Sequence, residues 1–187
     1  MRLLFAAPFT AALALALASH ADDKGTTVEL AGMKSVTPAS WKEEPLPPKS
    51  MRMMQFKLPK AEGDSEDAEL ALFALRGGGS VQANLERQEK KFDLGGKKAE
   101  DAIKTDKIKV GSHEAVLQDI KGTLLKKFPP FDPNAKITRV PDYEQIYVIF
   151  EAKEGDGTIL YSMTLLGPAK TVEKHKKEFE GWLKNFK

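Results

Sequence analysis

Two runs of strict alternation near the C-terminus constrain this chain most. From Glu144 to Lys153, Ile146, Val148 and Phe150 alternate with Tyr147 and Ile149, and from Thr158 to Leu166 the residues Ile159, Tyr161, Met163 and Leu165 recur at every second position. Period 2 sends successive side chains to opposite faces of a strand. The tetrapeptide Glu154-Gly155-Asp156-Gly157 between the runs has turn composition, so the pair reads as an antiparallel hairpin. A third run, Glu69 to Arg76, interleaves Leu70, Leu72 and Ala74 with Ala71, Phe73 and Leu75. Apolar residues on both faces demand cover on both faces.

Two segments of helical period can supply that cover. Between Ser80 and Phe92, Val81, Leu85, Gln88 and Phe92 share one stripe; from Ala169 to Phe186, Val172, His175, Phe179, Trp182, Leu183 and Phe186 share another, with Lys174, Lys177, Glu178 and Lys184 turned outward. Further strands are expected at Val28 to Leu30, Met51 to Leu58, Ala102 to Val110 and Ala115 to Leu125, the last two joined around Gly111-Ser112. Thr37 to Pro48, rich in proline, reads as an extended edge pinned by Trp41. Phe128 to Tyr143 carries four prolines and reads as the longest loop. The expected architecture is α+β: one antiparallel sheet of about five to seven strands with both helices packed on it, and with Phe179 and Trp182 buried against the sheet.

The N-terminus has a separate signature. Arg2 precedes an apolar run from Leu3 to Ala18, followed by Ser19-His20-Ala21 and then Asp22-Asp23. A basic start, an apolar middle and small residues before a polar chain are the parts of a cleaved export signal. Residues 1–21 are therefore expected to be a signal peptide, 22–27 a polar leader and 28–187 a single domain. The run is shorter than the roughly 20 apolar residues a spanning helix needs, so the mature protein is expected in the periplasm or outside the cell and not in the membrane. The chain has no cysteine, hence no disulfide to compensate for a weak core in an oxidising compartment. With 29 Lys and Arg against 27 Asp and Glu, there is no net field to draw nucleic acid.

Catalytic and ligand motifs are weighed by their spacing. Gly77-Gly78-Gly79 lies between a strand and a helix, but no Lys-Ser or Lys-Thr follows and the glycine spacing of a dinucleotide site is missing, so it reads as a turn. His113 and His175 have no second His or Cys at metal-ligand spacing, and the set Glu62, Asp64, Glu66, Asp67 and Glu69 lacks the order of a calcium loop. The acidic set reads as a solvated hairpin loop and His175 as a satisfied packing residue. No nucleophile elbow occurs. No catalytic residue, cofactor site or metal site is assigned.

Several short motifs resemble the PsbP-like group of exported and organellar domains, in particular its secreted bacterial members. They are Thr37-Pro38-Ala39-Ser40-Trp41, Met51 to Phe56 leading into Leu58-Pro59, the three glycines before a helix, and Tyr161 to Pro168 followed by a terminal helix ending in Trp182-Leu183. Many members have Asn-x-x-Arg-Trp in the first helix; Asn84 and Arg87 match it, and Gln88 replaces the tryptophan. The resemblance implies an α-β-α sandwich. Because better-known members are extrinsic subunits of photosystem II and a binder of the GTPase Ran, it also implies docking onto another macromolecule instead of catalysis. The expected function is a non-enzymatic exported module with a protein or envelope component as partner; the alternative is a small-ligand carrier, or an enzyme with a dispersed site. The expected contact is Phe128, Pro130 and Phe131, where aromatics stand beside prolines that lower the entropy lost on binding.

Overall fold

The computed structural model describes residues 24–129, 132 and 134–187. The expected signal peptide, residues 1–21, lies outside them, as do Pro130 and Phe131. Among the described residues the order is β1 (Thr27–Leu30), β2 (Met33–Val36), β3 (Lys42–Glu43), β4 (Arg52–Leu58), β5 (Ala68–Arg76), α1 (Val81–Glu89), β6 (Phe92–Asp93), α2 (Ala99–Ala102), β7 (Ile103–Val110), β8 (His113–Phe128), β9 (Lys136–Glu154), β10 (Gly157–Pro168) and α3 (Ala169–Lys184). β1 and β2 form a separate hairpin. The other eight strands make one sheet in the order β3-β4-β5-β10-β9-β8, with β6 and β7 both paired to the far side of β8. Every pairing is antiparallel.

The alternation runs define the two faces. Ile146, Val148, Phe150, Ile159, Tyr161, Met163 and Leu165 face α3 and the β1–β2 hairpin, where they join Val28, Leu30, Phe56, Leu70 and Leu72 in the main core. Phe179 and Trp182 are buried there as expected. Trp41 packs edge-on against Trp182 with ring centroids 5.5 Å apart, so the proline-rich approach is anchored on α3. On the opposite face Leu85 of α1 covers Tyr147, Ile149 and Leu160 in a smaller cluster. The sheet is thus the middle of three layers, an α-β-α sandwich.

Three features differ from the sequence reading. The large sheet has eight strands, and two more stand apart, because short pieces such as β3 and β6 carry no periodic signal of their own. Residues 99–102 form the helical turn α2 ahead of β7, so that strand opens at Ile103. The expected loop from Phe128 to Tyr143 is mostly strand: β8 runs to Phe128 and β9 starts at Lys136, paired from Leu124↔Val140 to Phe128↔Lys136. Pro141 is tolerated because it sits at a bulge. Gly122 pairs with Tyr143 and Leu124 with Val140, leaving two residues of β9 opposite Thr123, with Asp142 at φ +56°. A bulge residue needs no ladder hydrogen bond, so proline's missing N–H does no harm.

Candidate functional site

The outer ends of β8 and β9 form a two-stranded arm that continues past the bulge. Cross-strand partners share a face, so Phe128 and Lys136 lie with Lys126 and Thr138, while Ile137 lies with Lys127 and Arg139. Phe128 is 77% exposed and Ile137 49%. Arg139 pairs with Asp93 of β6, which ties the base of the arm to the sheet. The tip therefore presents apolar groups among three lysines with no ion-pair partner among the described residues.

The α3 face carries a buried charge cluster. Strand parity puts Glu144 on the same face as Ile146 and Val148, and it is completely buried. Lys121 Nζ, directly across on β8, is 3.2 Å from its Oε2; Lys176 of α3 is 3.7 Å from Oε1 and also holds Asp119. Neither lysine makes a well-directed hydrogen bond to Glu144. Burial first, and the nearby Asp119 carboxylate second, push the Glu144 carboxyl up to about 7, against the pull of Lys121.

The α1 face carries several buried polar side chains beside its apolar cluster. Gln55, Asn84, Gln88, Gln118, Gln145 and Ser162 are all buried. Asn84 Nδ2 donates to Gly78 O and Ser80 O, both at 2.9 Å, which fastens the glycine turn to the start of α1. Ser80 caps the helix by accepting from Ala83 N at 3.1 Å. The triple glycine is thus a structural turn, as read. Beside it an open cleft of about 550 Å³ lies between Val81, Val116 and Ile149, rimmed by Lys107, Glu114 and Glu151.

The remaining sequence candidates have structural roles. His175 is buried, with Nε2 donating to Pro59 O at 2.8 Å and Nδ1 3.1 Å from Glu178 Oε2, which is the satisfied packing residue expected. The acidic loop is less free than a solvated hairpin loop. Asp64 Oδ2 accepts from Thr171 N at 2.9 Å and Thr171 Oγ1 at 2.6 Å. That supplies the cap that Pro168, at the N-terminus of α3, has no side-chain donor or acceptor to make. Among the described residues no three His, Asp or Glu side chains converge as a metal-ligand set, and no helix is long and apolar enough to cross a membrane.

Reasoning from sequence missed the two buried polar clusters. A signal was present: the alternation that puts Ile146 and Val148 in the core also puts Glu144 there, and Gln145 shares parity with Tyr147 and Ile149.

No family model and no curated protein matches this chain. Among solved structures it is similar to cyanobacterial PsbP (CyanoP) from Synechocystis sp. PCC 6803, at a TM-score of 0.51 and 8% identity, over 92% of this chain and 96% of that one. An antiparallel sheet between α3 on one face and α1 on the other, matched over most of both chains, gives this chain a PsbP-like fold.

Proposed function

We propose that this protein is an exported, non-enzymatic accessory module that docks on another macromolecule through the tip of the β8–β9 arm. The observation that carries this reading is the exposure of Phe128 and Ile137 on a paired arm ringed by Lys126, Lys127 and Lys136. Ladder pairing holds the two apolar side chains in fixed positions, so little conformational entropy is lost on contact. The lysines favour a partner surface that combines an apolar recess with acidic residues. Export rests on the pattern of residues 1–21.

The test is a photo-cross-linking amino acid at position 128, compared with one at exposed Lys170, in cells that make the protein. A defined adduct from position 128 only, lost when Lys126 and Lys136 are both changed to Glu, is the expected result. Phe128→Ser should unfold within about 0.5 kcal/mol of the parent, because an exposed side chain has little burial to lose. Equal labelling from both positions, or a Phe128→Ser protein with clearly lowered stability, would remove the arm from the interface.

A further inference from the structure

We infer that the free edge of β7 binds an acidic, extended segment of a partner protein, which adds to the sheet as a further strand. β7 runs along His113 to Ile120 of β8, whereas the paired part of the docking arm begins at Leu124. The surface is therefore separate from the arm and does not depend on the reading given above.

The fold leaves this edge unguarded by shape. β6 and β7 share the outer side of β8, and no strand lies beyond β7 among the described residues. Its register with β8 is continuous from Ile103↔Ile120 to Val110↔His113, with no proline or glycine in the strand. Sheet edges are ordinarily blunted by shortness, bulges or proline. The opposite edge shows this: β3 has two residues, and Pro45, Pro47 and Pro48 follow it. Beside β7, Gly111-Ser112 is a two-residue turn with Gly111 at φ +55°. Val110 and His113 therefore exchange both of their hydrogen bonds, and every second pair after them does the same. Ile108, Asp106 and Lys104 thus turn N–H and C=O toward β8. Thr105, Lys107 and Lys109 turn theirs outward, and all three residues are exposed. A strand laid along this edge meets a row of donors and acceptors at the spacing of its own.

Charge selects the occupant. β7 has three lysines against one acid, Asp106, and none of Lys104, Lys107 and Lys109 has an ion-pair partner among the described residues. Asp119, opposite Lys104, is held by Lys176 instead, and Glu114, opposite Lys109, makes no ion pair with it. A second copy of this chain is a poor occupant. The two-fold registers that use most of the edge set Asp106 against Asp106 or Lys107 against Lys107, and like charges directly opposite are destabilising. Edge lysines thus reject another copy and admit an acidic strand. Thr105, Lys107 and Lys109 stand on the α1 face, across from Gln118, Val116 and Glu114, while Ile108 packs toward the main core on the other face. A segment alternating acidic and apolar residues matches both faces, with its acids beside Lys107 and Lys109 and an apolar side chain beside Ile108.

The test titrates the protein with a capped, fluorescent peptide of about eight residues, a long strand, alternating Glu and Val. Anisotropy reads binding, and amide hydrogen exchange followed by NMR reads where the peptide lies. The expected result is saturation below about 1 mM. The amides of Thr105, Lys107 and Lys109 should gain at least about tenfold protection, while those of Lys104, Asp106 and Ile108, already bonded to β8, stay as they are. Thr105→Pro removes an outward N–H without touching the ladder to β8 and should weaken binding by about tenfold or more. Changing Lys107 and Lys109 together to Glu should do the same through charge alone, so the inference is tested even where the proline variant folds poorly. It fails if a Lys-Val peptide binds as well, if the doubly changed protein binds as the parent does, or if the outward amides gain no protection. Self-association that Thr105→Pro abolishes would give the edge to a second copy and overturn it too.

Discussion

Glu144 illustrates how one residue records its surroundings. It occupies a core position of β9 with Asp119 on the neighbouring strand and Lys121 and Lys176 as its cationic neighbours, Glu173 lying beyond Lys121. Its carboxyl is pushed from 4.5 to about 7 in the folded protein. Between those values the native state holds a proton that the unfolded chain has released, so stability falls as pH rises through the window. Urea unfolding across that range should therefore find lower stability at pH 7.5 than at pH 5.5, and Glu144→Gln should flatten this part of the profile. At pH 8 the variant should match or exceed the parent, by about 1 kcal/mol, because the desolvated charge is gone. A Glu144→Gln profile parallel to that of the parent would place the pH dependence elsewhere.

At the scale of elements, α3 lays one continuous apolar stripe on the core. Its stripe Val172, Phe179, Trp182 and Leu183, continued by Phe186, is buried against the sheet, and Trp182 packs against Trp41, Phe179 and Phe186 with centroid separations of 5.0 to 5.9 Å. Ser35 of β2 donates to Trp182 O at 3.1 Å, so the small β1–β2 hairpin is fastened to the same turn. Replacing Trp182 with alanine should cost about 3 to 5 kcal/mol, since the surrounding aromatics cannot close the cavity. Equilibrium denaturation checks this, and an unchanged midpoint would mean that α3 is not seated here. Phe92 shows a different limit of element-level reading. It falls on the helical stripe that begins at Val81, but α1 stops at Glu89 and Phe92 pairs with Leu124 as part of β6.

Across the whole molecule, the sheet is covered on both faces in its centre, while the arm stands beyond the covering layers. Residues 136–139 of β9 are exposed and 143–150 are buried within the same strand. Amide hydrogen exchange should follow that division, with the arm opening locally and exchanging at least about tenfold faster than Ile146 to Phe150, which should exchange only through global unfolding. Uniform protection along β9 would show the arm to be part of the cooperative core. The same division separates what each level of description determined. Sequence alone determined the α+β class, the β9–β10 hairpin, both long helices and the burial of Trp182, because period 2 and period 3.6 are local consequences of backbone geometry. It also located the glycine turn and the packing role of His175. It could not reveal that 136–143 continues a strand past Pro141, because a bulge is defined by its partner strand. Nor could it bring Asp119 to Glu144, since these groups lie on separate strands and meet only through sheet register. Charge and hydrogen-bond balance at such sites is a property of the assembled fold, and only the tertiary structure decided it.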